Sequence, residues 1–160
     1  MNLKFINDHT LIADTVNHAR HEREIMTVVL HHLQEIDRRR LFCDHGCDSI
    51  FFFFLKKLGY SEDQAARRVS AMRLLRDLPQ IEEQISSGDL SLSHLGMAQS
   101  FFRQESKISQ RIFTAAEKMQ VLAKIAKTSV RQAQAITISL SSAPEQLRPE
   151  KLKPISEDLS

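Results

Sequence analysis

Residues 48–78 read DSIFFFFLKKLGYSEDQAARRVSAMRLLRDL, and the fold prediction starts from this segment. Its first part is apolar and ends in Leu58-Gly59-Tyr60, after which Ser61 opens a second part that is rich in alanine and arginine. A glycine at the junction and a serine directly after it are typical of a tight turn followed by the start of a helix. The stretch therefore predicts helix, turn, helix, which is the outline of a helix-turn-helix.

Capping signals define the second of these helices. Ser61 is followed three residues later by Gln64, which is the spacing of a capping box. Pro79 ends the helix at about Leu78, because proline disfavours the helical conformation of the residue before it.

The first helix carries four consecutive phenylalanines, at positions 51–54. On a helix of 3.6 residues per turn these side chains point in four directions. A helix that is apolar all round must be contacted on nearly all sides, so we expect the Phe-rich helix at the centre of the core.

The N-terminal third predicts two helices. Thr10 is a candidate N-cap for a short helix that runs to about Ala19. The next helix ends in Arg38-Arg39-Arg40, where the carbonyl groups of a helix C-terminus favour cations. Apolar residues at three- and four-residue steps predict its buried stripe: Ile25, Val28, Val29, Leu33 and Ile36.

The C-terminal half also reads as helices, up to residue 140. Thr114 with Glu117 and Ser129 with Gln132 form two further capping boxes. Only four glycines and four prolines occur in the 160 residues, and three of the prolines follow Ala143, so strands are poorly supported. The sequence predicts an all-α fold, with a single multi-helix domain at 8–140, a central helix-turn-helix-like hairpin, and a flexible polar C-terminal tail or linker at 141–160.

Composition bounds the location and the partners. The net charge of +2 is too small to indicate nucleic acid by itself, so the distribution of charge has to carry that inference. Cys43 and Cys47 lie close together, unlike the spread cysteines of a secreted domain, which favours a cytoplasmic protein. The longest apolar run, residues 50–55, is far too short for a membrane span, so we expect no membrane partner.

The predicted hairpin suggests a DNA interface. In a helix-turn-helix the second helix lies in the major groove while the first braces against the duplex. Expected contacts to phosphates or base edges from this helix are Ser61, Gln64, Arg67, Arg68, Arg73 and Arg76. A second set could extend the same basic patch: Arg38, Arg39, Arg40, Lys56 and Lys57.

Two considerations favour the alternative that this stretch is a helical hairpin of the core and not a DNA interface. Glu62 and Asp63 occupy the first turn of the second helix, where carboxylates repel phosphate but also suit a helix N-terminus. A helical hairpin of the core with solvated arginines would show the same pattern.

Metal and catalytic signals are weak. Cys43, His45 and Cys47 lack the spacing of a structural zinc site, and His21-Glu22 is followed by Ile25 where a metalloprotease motif needs histidine. No phosphate-binding glycine loop and no nucleophile motif occurs. We therefore expect no cofactor, no metal and no catalytic residue.

Several segments together resemble a known family. They are 37–41 (DRRRL), 58–62 (LGYSE), 65–75 (AARRVSAMRLL) and 87–92 (SGDLSL). The run 33–102 resembles the helical N-terminal region that precedes the nuclease module in a family of bacterial HNH endonuclease proteins. Its latter part, SSGDLSLSHLGMAQ, is similar to the helices that follow the helix-turn-helix of ParB-type partition proteins.

The resemblance implies a DNA-targeting or assembly role. The catalytic module of that family carries a paired Asp-His, a downstream Asn and His, and often zinc-binding cysteine pairs. Asp44-His45 lacks those downstream partners, so the resemblance assigns no cleavage to these residues. We expect the chain to correspond to the front of such a protein.

The sequence thus predicts a DNA-binding or targeting module for duplex DNA, without activity of its own. The alternative is a protein-interaction or homodimerisation domain, in which the Phe-rich helix buries against another copy; a free-standing enzyme is the least supported class. The first reading requires that the arginines form a contiguous, unneutralised surface.

Overall fold

Helices account for all regular secondary structure in the computed structural model, which describes residues 1–147. The all-α fold predicted from the sequence is confirmed. Within residues 1–147, none of the helices combines the length and the hydrophobicity of a membrane span. The elements, in chain order, are α1 (Asp8–Arg39), α2 (Leu41–Asp44), α3 (Ile50–Lys57), α4 (Glu62–Asp77), a 3-10 turn (Pro79–Ile81), α5 (Glu82–Ser87), α6 (Leu92–Ser109), α7 (Ala115–Ile125), α8 (Val130–Leu140) and α9 (Pro144–Leu147).

Helix α4 is the element that the others surround. It packs against α1, α3 and α6, and the 3-10 turn closes its C-terminal end. Ala65, Ala71 and Leu74 are fully buried, and the two alanines let neighbouring helices approach its backbone closely. Three neighbours leave a single strip of α4 facing solvent.

The Phe-rich helix α3 is not at the centre, contrary to the sequence prediction. Ile50, Phe53 and Phe54 share one face and are buried, mainly against α4. Phe51 is half-buried, and Phe52 is 44% exposed. Because a helix of two turns at the edge of the fold buries only one face, the phenylalanines that point elsewhere are left partly solvated.

The capping boxes form as predicted. The Ser61 hydroxyl accepts a hydrogen bond from the Gln64 amide at 3.3 Å, and the Gln64 side-chain oxygen accepts one from the Ser61 amide at 3.0 Å. Equivalent boxes begin α7 and α8. In the preceding turn Gly59 adopts φ +69°, a left-handed conformation that costs glycine little.

Helix α1 corrects two predictions for the N-terminal third. It is one helix of 32 residues, capped by the Asn7 side chain rather than by Thr10, and it ends where Arg40 takes φ 55°. Its buried side is formed by Thr27, Leu30 and Leu33.

The predicted stripe of α1 lies largely outside this contact. Leu33 is buried and Val29 and Ile36 are half-buried, but Ile25 and Val28 are 51% and 47% exposed. Apolar residues occupy two sides of this helix, and periodicity alone does not decide which side the body covers.

The packed chain continues past the predicted boundary at residue 140. Glu105 on α6 is 5% exposed and accepts hydrogen bonds from the Ser141 hydroxyl and from the amide and hydroxyl of Ser142. Helix α9 follows directly and packs against α8. Residues 141–147 of the predicted tail thus contact α6 and α8, and its remainder, 148–160, lies outside the described residues.

The hydrogen bonds at Glu105 make stability depend on pH. Burial by itself raises the pKa of Glu105, but the hydrogen bonds from Ser142 and Ser141 and the charge of Arg111 outweigh it, so the pKa is lowered from its usual value. A carboxyl whose pKa is lowered by folding stabilises the protein above its unfolded-state pKa, and this contribution is lost as the pH falls through the folded-state pKa.

We expect Glu105→Gln to lower the free energy of unfolding by about 1–2 kcal/mol at neutral pH, because the serine donors lose their charged acceptor. The difference from wild type should shrink as the pH falls below the usual glutamate pKa, as measured by chemical denaturation across a pH series. Glu83→Gln, at an exposed position, is the control and should change little. An equal effect at both positions would contradict the role given to Glu105.

Candidate nucleic-acid interface

The solvent-facing strip of α4 and one face of α6 enclose an open groove of about 490 Å³. On α6 the groove is lined by Met97 and by Ser93, Gly96, Ser100 and Arg103; the spacing of the last four, three and four residues, places them on one side of the helix. Small side chains bring the two helices together there. A Cβ atom added to Gly96 would lie 3.5 Å from the Arg67 Cγ atom. This α4–α6 groove is the candidate site.

Cations line the groove, and no carboxylate does. Its charged residues are Arg67, Arg73 and Arg103. Neither Arg73 nor Arg103 forms an ion pair with any described residue. Arg67 lies 3.2 Å from Asp63, but the two side chains are 49% and 85% exposed, and an ion pair so exposed to water contributes little.

The positive surface extends along α6. A shallower depression of about 220 Å³ shares Arg73 and Arg103 with the groove and adds Lys118 from α7. Lys118 is held 3.3 Å from Asp77 and is only 20% exposed, so it is the most constrained of the four cations. The cations of the two depressions therefore come from α4, α6 and α7.

Three of the residues predicted on the recognition helix point elsewhere. The side chains of Ser61 and Gln64 each accept a hydrogen bond from the other residue's backbone amide in the capping box. The Arg68 guanidinium stacks on the Tyr60 ring at 4.2 Å and donates a hydrogen bond to the Gln64 carbonyl oxygen. It borders a different groove, next to α1. Of the α4 residues predicted to bind, the α4–α6 groove brings together Arg67 and Arg73.

The basic run at the end of α1 is largely neutralised. Arg38 and Arg39 both donate hydrogen bonds to the Glu35 carboxylate. These hydrogen bonds lower the pKa of Glu35 to about 2. Arg40 lies over the Phe42 ring at 5.9 Å. Only Arg40 of this run has no carboxylate partner among the described side chains.

The single patch predicted from residues 38–40 with Lys56 and Lys57 does not form. Arg76, near the C-terminal end of α4, lies 3.9 Å from Asp37 of α1 and 3.6 Å from Asp77. Lys56 and Lys57 precede the turn that leads into the N-terminal end of α4. Because α4 has 16 residues, the two clusters lie at opposite ends of a rod of about 24 Å.

Arg103 was absent from the sequence prediction. The small residues at 93, 96 and 100, followed by arginine at 103, mark a face of α6 that another helix can approach closely. That pattern was readable in the sequence. The sequence does not say which helix faces this side of α6. The packing of α6 on α4 answers that question.

Residues 1–147 contain neither a candidate metal site nor a disulfide. No group of three or more His, Cys, Asp or Glu side chains is placed to hold a metal ion in that range. Cys43 is exposed and Cys47 is buried, and they form no disulfide. The sequence matches no protein-family model and no curated protein, and no solved structure matches the fold.

The close approach of α6 to α4 can be tested at Gly96. We expect Gly96→Ala to stabilise the protein by about 0.5–1 kcal/mol, because the added methyl group makes an ordinary contact at 3.5 Å and alanine is the better helix former. Chemical denaturation measures the change.

Gly88→Ala provides the contrasting variant. Gly88 has φ +89°, and an added Cβ atom would lie 3.2 Å from the Arg23 Nε atom, so this substitution should destabilise the protein. Destabilisation by Gly96→Ala would mean that the two helices leave no room for the methyl group.

Proposed function

We propose that this protein is a DNA-binding module that holds the phosphate backbone of a duplex along the α4–α6 groove. The observation that carries the proposal is the grouping of Arg67, Arg73 and Arg103 around a groove without a carboxylate lining. Arginine suits this task because its planar guanidinium group can donate two parallel hydrogen bonds to one phosphate.

The charges on α4 determine how DNA would approach. Glu62 and Asp63 are exposed in the first turn, and their carboxylates would repel phosphates if the helix entered the major groove by its N-terminal end. Arg73 lies about 15 Å further along the axis. DNA would therefore contact the flank of α4, near Arg73 and Arg103, rather than its N-terminal tip.

The floor of the groove supports the same geometry. Ala66 and Ser70 on α4 face Ser93, Gly96 and Ser100 on α6. Such short side chains let a sugar-phosphate strand come close to the helices, while the arginines reach it from the rims. Contacts of this kind position a duplex without reading its sequence.

The sequence resemblance adds independent support. Residues 33–102 resemble the helical region that precedes the nuclease module of bacterial HNH endonucleases. A targeting module in that position would deliver DNA to a catalytic centre, and backbone contacts alone serve that role. The proposal assigns no cleavage to the residues of this chain.

The test compares two double variants that change the net charge equally. Arg73→Gln/Arg103→Gln removes the two groove arginines that have no described ion-pair partner, whereas Arg38→Gln/Arg39→Gln removes two that are paired with Glu35. Fluorescence anisotropy with random-sequence duplex DNA at a series of salt concentrations gives the affinity and its salt slope.

We expect the groove variant to weaken binding and to reduce the salt slope by about one for each arginine removed. The paired variant should stay close to wild type, and circular dichroism should show unchanged helix content for both. Equal losses in the two variants would indicate a response to net charge and would reject the groove as the site. No salt-dependent binding by the wild type would reject the proposed function.

A further inference from the structure

The N-terminal half of α1 extends beyond the body of the protein. The long-range contacts of α1 come from its later residues: Arg23 donates to the Ser86 carbonyl oxygen, His31 meets Glu82, and Gln34 donates to the Met72 carbonyl oxygen. Residues 8–22 are exposed apart from two half-buried positions, Leu11 and Ala19. This overhang of 15 residues is about 22 Å long, and no described residue covers it.

One face of the overhang is apolar. Ile12 is 67% exposed, Val16 is 60% exposed, and Phe5, in the turn before the helix, is 86% exposed. The face has a seven-residue repeat, typical of helices that pair. Within the helix its positions, at alternating steps of three and four residues, are His9, Ile12, Val16, Ala19, Arg23, Met26, Leu30 and Leu33, of which His9 and Arg23 are polar.

The same face serves two purposes along α1. Leu30 and Leu33 at its C-terminal end are buried in the core of the chain itself. Between the core and the overhang lies a groove of about 420 Å³, whose apolar lining includes Met26, Ile85 and Leu90. The overhang is therefore continuous with an open apolar groove at its base.

Phe5 and this groove are complementary, but they cannot meet within one chain. The helix between Asp8 and Met26 holds them about 27 Å apart. Arg23 and Arg68 also line the groove, and guanidinium groups pack favourably on an aromatic ring. An exposed aromatic side chain and a groove on the same rigid rod fit a second copy in antiparallel orientation.

We propose that two copies of this chain associate through antiparallel pairing of their α1 overhangs, with Phe5 of each copy in the groove that Arg23 and Met26 of the other copy line. The two-fold axis then passes near residue 14, and Ile12 of one copy lies opposite Val16 of the other. This interface is isologous and closed, which limits the assembly to a dimer.

Substitutions on α1 test the dimer without disturbing the monomer fold. Ile12→Glu and Val16→Glu place a charge on the proposed interface, at positions that are already exposed in the monomer. Ile25→Glu is the matched control, because Ile25 is 51% exposed but faces about half a turn away from Ile12.

We expect wild type and Ile25→Glu to be dimers by light scattering coupled to size-exclusion chromatography, and Ile12→Glu and Val16→Glu to be monomers with unchanged helix content. Phe5→Ala should raise the dissociation constant about tenfold or more. A monomeric wild type, or dissociation by Ile25→Glu as well, would overturn the proposal.

Disulfide trapping tests the orientation. In a Cys43→Ser background, which removes the exposed native thiol, Ile12→Cys and Val16→Cys should cross-link when mixed but not when each is oxidised alone. Efficient cross-linking of Val16→Cys to itself would instead indicate parallel pairing and would overturn the antiparallel arrangement.

Discussion

Helix α4 is enclosed on three sides, and this packing determines how its neighbouring helices are arranged. Its alanines at 65 and 71 are fully buried and admit α1, α3 and α6 to within close range of one backbone. What remains is a single solvent-facing strip that carries Arg67 and Arg73. Because α6 borders that strip with small residues and ends it with Arg103, the packing of the core also determines where positive charge gathers. The candidate site is thus a consequence of how α4 is buried.

Local rules made the starts of α4, α7 and α8 predictable. The capping boxes that begin α4, α7 and α8 require only residues three apart, so the sequence contains everything needed to find them. The centre of the fold was not predictable in this way. Four phenylalanines indicate large apolar area, but the helix that contacts most neighbours is α4, whose buried alanines carry a weaker signal. Central position depends on how closely helices can approach, and small residues govern that distance.

The charges show the same division between local and long-range information. Glu35 with Arg38 and Arg39, and Asp63 with Arg67, lie three or four residues apart, so their pairing was readable from the sequence. Other pairs join different helices, and the sequence did not predict them. They are Arg76 with Asp37 and Lys118 with Asp77. The sequence prediction therefore overstated the positive surface available to DNA, and it did not include Arg103. The groove retains its cations because no described carboxylate reaches Arg73 or Arg103 from another helix.

Three arginines in one groove form few phosphate contacts, and binding that relies on few contacts is weak at physiological salt. A dimer would carry a second α4–α6 groove, and its phosphate contacts would add to those of the first. When two sites are linked rigidly, occupation of the first raises the effective concentration of DNA at the second, and the combined affinity exceeds that of either site. The groove at the base of the overhang and the α4–α6 groove share Ser93, but Arg73 and Arg103 line the α4–α6 groove alone of these two. A dimer formed through the overhang would therefore not use Arg73 or Arg103 for pairing, and a sequence-independent module would gain its affinity from pairing rather than from further cations.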